Sequence, residues 1–538
     1  MRKILFFTLF IIQSAAYAQQ DAWVYFNDKP LTEFYLSNPL EMLSQKALDR
    51  RTAQGIALDD KDVPVHEPYI QQVEQSAGIT VMAKSKWLNA LHIRGSIQAI
   101  LALEDLGFVA SVDFADNSLD GNSGRMAGQQ DIVPVNKKQD AMEDFSYGQA
   151  GNQIQMLNGH LLHEQDFTGE GMTIAVLDAG FPGVNTLQPF QRLQDNNLIL
   201  GGYDFVNRSE DFYTGGTHGT LVLSAMGGYS EGQLVGTAPD AFYYLFRTED
   251  ATTENPVEES YWVEAAEVAD SLGVDVINTS LGYLVYDNPA YNYTYEDVNG
   301  DTAFITRGAN VAFTRGMFLV NSAGNTATTA NPHITVPADA FNTLAVGAVK
   351  PNGEYAAFSS IGPSYDMRVK PDVMAQGGPG VIANATGTIT TANGTSVSSP
   401  IIAGLVACLW QALPNKTNAE IVQLVRESAD RYTNPNVQYG YGIPDFLLAL
   451  EDGLGIERPQ YQDFMLYPNP SAGVVSITLP KGIANGTINV FNSLGQLVQE
   501  SYISRDNLSF SVEPLSTGSY FYRIEVGQKL YTGKLIKN

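Results

Sequence analysis

An α/β fold is what this sequence predicts: a parallel sheet with helices on both faces, preceded by a small α+β region and followed by a small β-sandwich. Three observations predict it. Between about Ser146 and Leu450, short apolar runs alternate with longer helical stretches, the pattern of strands joined by crossover helices. From Gln19 to about Asp140 the texture differs: a strand, a charged helical stretch, then a strand–strand–helix–strand unit. After about Gly455 short alternating strands recur between turn residues, as in a sandwich. At 538 residues the chain exceeds what one core fills, so several domains are expected.

The elements follow in chain order. Met1-Arg2-Lys3 is basic, Ile4 to Ile12 is apolar apart from Thr8, and Ala16-Tyr17-Ala18 is a small-x-small cleavage site. Residues 1–18 therefore read as a signal peptide, with an apolar run too short to span a bilayer. In the 19–140 region, Ala22–Phe26 is a strand and Glu41–Gly55 a charged helical stretch. A compact unit follows: strands Ile79–Met82 and Trp87–Ile93, helix Ser96–Leu106 with Ser96 as N-cap and Gly107 as stop, and a strand to Val112. Asn117 to Asp140 is rich in Gly, Asn, Gln, Asp and Lys and reads as an exposed linker. In the central domain, 141–454, strands are expected at 173–177, 241–246, 274–278, 317–321 and 343–349. Helices are expected at 219–227, 259–272, 303–315 and 399–412. Residues 283–301 read as a surface loop, and His160 and His163 as a solvated helix face. The last domain, 455–538, is the sandwich.

Chemistry concentrates in three short segments. Val176-Leu177-Asp178-Ala179-Gly180 ends a buried strand, placing Asp178 where open α/β sheets hold their sites. Gly216-Thr217-His218-Gly219 turns into an apolar helix. Asn393-Gly394-Thr395-Ser396 turns into another, with Pro400 expected in its first turn. Asp, His and Ser are a carboxylate that fixes a base, the base, and a nucleophile beside free helix-start N–H groups. A fourth segment, Val320-Asn321-Ser322-Ala323-Gly324-Asn325, follows an apolar strand, and a fifth, Val274 to Gly282, contains Ser280-Leu281-Gly282.

These five segments, spanning about Tyr147 to Leu450, resemble the subtilisin-like serine peptidases, the subtilases, whose order is Asp, His, Ser. The resemblance implies a subtilisin-like sheet and an endopeptidase with Asp178, His218 and Ser396 as its triad. It implies Asn325 and the Ser396 N–H as oxyanion donors, and Ser280, Leu281 and Gly282 as the strand that pairs with an extended protein or peptide substrate. Gly282 is expected to let substrate backbone approach. Val397, Ile401 and Ala179 depart from the family pattern without removing a proton-transfer group. A catalytically silent, subtilase-fold surface binding protein is the alternative, and its mark would be loss of one of these residues. The 19–140 region resembles the subtilase propeptide, an intramolecular inhibitor; a permanent N-terminal binding domain stays open beside it. Tyr467-Pro468-Asn469-Pro470, Asn492-Ser493-Leu494-Gly495-Gln496, Leu515-Ser516-Thr517-Gly518 and Lys534-Leu535-Ile536-Lys537 resemble the C-terminal sorting domain of type IX secretion substrates of Bacteroidetes. Export machinery is then a partner, and the implied destination is the medium or the cell surface, through the periplasm.

Composition agrees. A formal charge of −27 disfavours nucleic acid and anionic membranes as partners. The single cysteine, Cys408, excludes an intramolecular disulfide and reads as a small core residue. No redox or organic cofactor is implied. Structural Ca²⁺ is common in the family, and no ligands for it are assignable from the sequence.

Overall fold

The computed structural model describes residues 19–119, 145–456, 466–477, 485–505, 507–526 and 529–538. The expected signal peptide and most of the expected linker lie outside the described residues. The chain forms two compact units, Met1–Leu454 and Gly455–Asn538.

The first unit begins with a four-stranded antiparallel sheet of β1 (Gln20–Phe26), β2 (Ile79–Ser85), β3 (Ala90–Gly95) and β4 (Val109–Phe114), in the order β2-β3-β1-β4. The strand at Ala22–Phe26 therefore lies inside the compact unit, not ahead of it. Trp87 to Asn89 form a turn instead of a strand start, with Asn89 at φ +49°. Ser96 accepts from Ala99 N as the expected N-cap. Helix α1 (Gln45–Ala53) occupies the crossover between β1 and β2.

The central sheet is parallel throughout. Its strands are β5 (Thr173–Asp178), β6 (Ile199–Asp204), β7 (Phe242–Arg247), β8 (Val276–Thr279), β9 (Phe318–Ser322), β10 (Leu344–Val349) and β11 (Val373–Gln376), in the order β11-β10-β9-β8-β5-β7-β6. Sequence reading missed both edges. In β6 the pair Gly201-Gly202 weakens the strand signal, and β11 is four residues long, too short to carry a period. Order reverses between β5 and β8, so a crevice opens at their C-terminal ends. Alternate residues of β5 serve opposite faces. Ile174 and Val176 pack with helices α2 (His218–Gly227) and α5 (Thr395–Ala412). Ala175 and Leu177 pack with α3 (Val257–Leu272) and α4 (Phe304–Thr314). Helix α5 is long and apolar enough to cross a membrane, but 83% of that stretch is buried here; it is the central helix of the core.

Three expectations need correction. Residues 283–301 are not a loose surface loop, because Tyr283, Tyr286, Tyr291 and Val298 are buried. Tyr286 and Tyr293 hydroxyls donate to Glu259 Oε1 at 2.6 and 2.8 Å, so the polar residues of the loop satisfy a buried carboxylate. His163 is not solvated: it is buried, shares a hydrogen bond with Tyr147 Oη at 2.8 Å and reaches Thr237 O at 3.0 Å. Burial pushes its imidazole down to about 4. The thiol of Cys408, buried as expected, bonds the same Thr237 carbonyl at 3.1 Å. Finally, Pro400 lies inside α5, not in its first turn.

The N-terminal region is joined to the central part of this unit through buried polar contacts. Trp23 Nε1 donates to Ser260 Oγ at 2.8 Å. Glu267 accepts from Ser85 Oγ, Lys86 N and Trp87 N at 2.6, 2.8 and 2.9 Å. Arg50 and Arg51 converge on Asp270; Arg51 also bonds Asp62 at 2.8 Å, and Arg315 bonds Asp59 and Asp62. Burial pushes the Asp270 carboxyl up, but the two guanidinium charges outweigh it and hold it below the usual carboxylate range.

The second unit is a two-sheet sandwich. One sheet holds β12 (Leu466–Tyr467), β13 (Val474–Ile477) and β16 (Ser509–Ser511). The other is ordered β15 (Leu497–Ser504), β14 (Asn485–Phe491), β17 (Gly518–Val526) and β18 (Lys529–Lys537). Both sheets bury their inward residues in one core, with Val475, Ile488, Val490, Ile524 and Leu535 at its centre.

Removing the charge of Asp270 leaves the buried Arg50 guanidinium without its counter-ion and Arg51 with Asp62 alone. Asp270→Asn, in the full chain carrying Ser396→Ala, is expected to lose about 3 kcal/mol of unfolding free energy. Urea denaturation measures it, and a loss below about 1 kcal/mol would mean that the cluster does not hold the region in place.

Candidate active site

The five singled-out segments meet at the C-terminal ends of the central strands. Asp178 is the last residue of β5 and fully buried. The chain then turns back on itself: Gly216 N donates to Ala179 O at 2.8 Å and Phe181 N to Thr214 O at 3.1 Å. These bonds bring the 214–217 turn against the strand end. His218, the first residue of α2, consequently faces Asp178, with Nδ1 2.8 Å from Oδ1. Ala179 N donates to the same oxygen at 2.7 Å, while Oδ2 is buried without a hydrogen-bond partner among the described residues. The negative charge of Asp178 raises the His218 pKa above its ordinary value, outweighing the burial that lowers it. The imidazole stays partly open, its side chain 37% exposed.

Ser396 is the second residue of α5, where backbone N–H groups lack intrahelical partners. Pro400 explains a second feature. Without an N–H it cannot bond the Ser396 carbonyl four residues back. That carbonyl instead accepts from Ser280 Oγ at 3.2 Å. Ser280 in turn accepts from Asn278 Nδ2 at 3.1 Å, and Asn278 Oδ1 accepts from Ser399 Oγ at 3.1 Å. The strand end at 279–280 is thus tied to the helix start.

Asn325 is exposed, just past β9. Its Oδ1 accepts from Thr395 N at 3.0 Å and Thr395 Oγ1 at 3.2 Å, which fixes the amide and turns Nδ2 the other way. Thr395 Oγ1 also accepts from Gly324 N at 3.1 Å. A Cβ placed on Gly394 would lie 2.8 Å from Ser396 Oγ and 3.7 Å from Asn325 Nδ2. The hydroxyl and the amide therefore border one small space, kept open by the glycine. Thr395 was not singled out from the sequence, although its place beside Ser396 was a signal. Ser280 is tied to the Ser396 carbonyl, and Leu281 O accepts from Asn321 Nδ2 at 3.1 Å. Gly282 differs from expectation: the volume its missing side chain frees is filled by Thr335 of the chain itself, not left to substrate. Among the described residues no group of three or more His, Cys, Asp or Glu could hold a metal.

The fold is a parallel α/β sheet that carries a carboxylate-bonded histidine, and a helix-start serine beside an amide, at its strand ends. Comparison places it further. Residues 169–442 match the subtilase family, 21–131 the peptidase S8 propeptide domain of Bacteroidota, and 465–538 the secretion system C-terminal sorting domain. The chain is similar to subtilisin NAT of Bacillus subtilis subsp. natto, 30% identical over 296 residues, 54% of this chain and 68% of that protein. It is 30% identical over 296 residues to a subtilisin of Bacillus pumilus, covering 94% of it, and 26% identical over 294 residues to a thermostable alkaline protease of Halalkalibacterium halodurans, covering 70% of it. The chain belongs to the subtilase family and is a serine-type endopeptidase. Its propeptide and sorting domains make it a secreted or cell-surface protein.

The Asp178–His218 contact has a direct spectroscopic consequence. The His218 resonance, followed by NMR in the Ser396→Ala full chain, should titrate above the ordinary histidine value near 6.5. Asp178→Asn should move its midpoint downward, because the largest raising influence is then removed and burial is opposed only by the charge of Glu249. An unmoved midpoint would remove Asp178 as the cause.

Proposed function

We propose that the enzyme hydrolyses peptide bonds through an acyl-enzyme formed on Ser396. Ser396 Oγ attacks the scissile carbonyl, and His218 Nε2 takes its proton and returns it to the leaving amine. Asp178 holds Nδ1–H and stabilises the imidazolium. The observations that carry this reading are the 2.8 Å Asp178–His218 bond and, at the same end of the parallel sheet, a space bordered by both Ser396 Oγ and Asn325 Nδ2. The developing oxyanion would accept from Asn325 Nδ2 and from the Ser396 N–H, at the positive end of α5. Thr395 is the positioning residue for that amide. Only the neutral imidazole accepts a proton, so the raised pKa of His218 sets the acid limit of activity. Water then resolves the acyl-enzyme by the same route in reverse.

Substrate, in this reading, lies extended along Ser280-Leu281-Gly282, held by main-chain bonds. The N-terminal region acts as the inhibitor in cis until the linker is cut. The C-terminal sandwich has its own core and contributes none of the residues named here. It serves as an address for the export machinery, after a signal peptide has carried the chain into the periplasm. Structural Ca²⁺ stays an open addition with no ligands assigned, and no step depends on it.

Ser396→Ala should leave a folded protein whose hydrolysis falls to the residual about 10³–10⁴-fold over water that binding and the oxyanion site supply. Assay of the purified variant decides it, and near-wild-type turnover would end the assignment. A chain ending at Gly455 should cleave peptides with normal efficiency in vitro but stop in the periplasm of the native host. Cell fractionation checks the second half; normal extracellular recovery would mean that the tail is not the address.

A further inference from the structure

Arg247 is buried at the C-terminal end of β7, and no step proposed above uses it. Its strand lies between β5 and β6, in register with Asp178 on one side and with Asp204 on the other. Its side chain reaches both neighbours. Nη1 pairs with Asp204 Oδ2 at 2.8 Å, and Nε donates to Ala179 O at 3.2 Å. Asp204 is fully buried and fixed from its own loop, where Asn207 N and Nδ2 donate to its two oxygens at 2.8 and 2.9 Å. A buried cation is thus anchored by a buried carboxylate and keeps one N–H aimed at a backbone carbonyl. That carbonyl sits at the junction of the proposed catalytic pair. Ala179 N donates to Asp178 Oδ1 at 2.7 Å, and Ala179 O also accepts from Gly216 N at 2.8 Å, two residues before His218. Gly215 lies against the same guanidinium: a Cβ on it would fall 2.5 Å from Arg247 Nε, 2.8 Å from Cδ and 2.5 Å from Ala179 O. Its φ of +83° is one that glycine adopts without strain. The turn ahead of His218 therefore rests on the Arg247 side chain and the Ala179 carbonyl together.

We infer that Arg247 is a positioning residue for the Asp178–His218 pair: anchored by Asp204, it fixes the Ala179 carbonyl and the 214–216 turn so that His218 Nδ1 meets Asp178 Oδ1. It acts through the backbone on either side of the pair and touches none of the reacting atoms. This rests on the roles proposed above for Asp178, His218 and Ser396. The task suits a guanidinium, whose planar fork points separate N–H groups at the carboxylate and at the carbonyl. A lysine ammonium is a point charge on a flexible stem; it keeps the ion pair and loses the second, directed bond. The consequence falls on turnover, because a displacement of about 1 Å at a reacting group costs about 100-fold in rate.

The test compares the processed wild-type enzyme with Arg247→Lys and Arg247→Met, active sites being counted with a fluorophosphonate probe for Ser396. Both variants should lower kcat per labelled site by about 10- to 100-fold. KM should stay unchanged, because the 280–282 segment is untouched. A residue that merely held the fold together would leave kcat per site normal in Arg247→Lys, which keeps the charge pair; this variant carries the test if Arg247→Met fails to fold. The second reading is the His218 titration, followed by NMR in the full chain carrying Ser396→Ala. Arg247→Lys and Arg247→Met should both move its midpoint downward, toward the ordinary value near 6.5, as the bond to Asp178 loosens. Loss of a nearby positive charge without loss of position would move it upward in Arg247→Met. A midpoint unmoved or raised in a folded variant overturns the inference, and so does normal kcat in Arg247→Lys. Near-wild-type turnover in Ser396→Ala, or a His218 midpoint indifferent to Asp178→Asn, overturns the proposed roles and this inference with them. Where those two controls behave as expected and the Arg247 variants match wild type, the inference alone falls.

Discussion

The burial of helix Thr395–Ala412 is the constraint on which the rest of the first unit depends. Its apolar residues pack against α2 and against the sheet strands β8 to β11, so its first turn has no freedom to wander. The helix start carries Ser396, Thr395 anchors the amide of Asn325, and the carbonyl freed by Pro400 anchors Ser280. Loops from two strand ends, past β8 and past β9, are thus positioned by one buried helix. A site assembled this way is held by packing, the strongest source of rigidity a domain has.

Helix Val257–Leu272 shows the opposite arrangement. One of its sides is apolar and sits on the sheet, with Val263, Ala266 and Ala269 in the core. Ser260, Glu267 and Asp270 instead meet the N-terminal region through hydrogen bonds and ion pairs. Around them Trp23, Ala83 and Trp87 join the same hydrophobic core as this helix, with Trp23 stacked on Phe304, so the contact is apolar as well as polar. The region matches the peptidase S8 propeptide domain. The contact also depends on charge: Arg50, Arg51, Arg315, Asp59, Asp62 and Asp270 stabilise it only as a complete set.

The corrections share a cause. His163 and the tyrosines of 283–301 are polar enough to read as surface, and each is buried because a distant group completes its hydrogen bonds. Thr237 lies 74 residues from His163, and Glu259 lies 27 from Tyr286. A polar residue whose partner is remote in sequence gives no local sign of burial. Gly282 carries the same lesson at the site. Its lack of a side chain was legible, but whether substrate or Thr335 used the space was not.

What the sequence determined by itself was local and periodic. Apolar runs located β5, β7, β8, β9 and β10, glycine turns ahead of apolar stretches located the starts of α2 and α5, and motif order pointed to Asp178, His218, Ser396 and Asn325. These follow from interactions within a few residues, or from patterns that a two-residue or 3.6-residue period imposes. Tertiary structure alone decided the short edge strands, the clamp of Thr395 on Asn325, the rescue of the Ser396 carbonyl by Ser280, and the filling of the space beside Gly282 by Thr335. Each joins segments between 53 and 116 residues apart, such as Gly282 with Thr335 and Ser280 with Ser396, or concerns a strand that is recognisable only by its neighbour. Which distant groups share a space is settled when the sheet closes and its helices pack, and no local pattern encodes it.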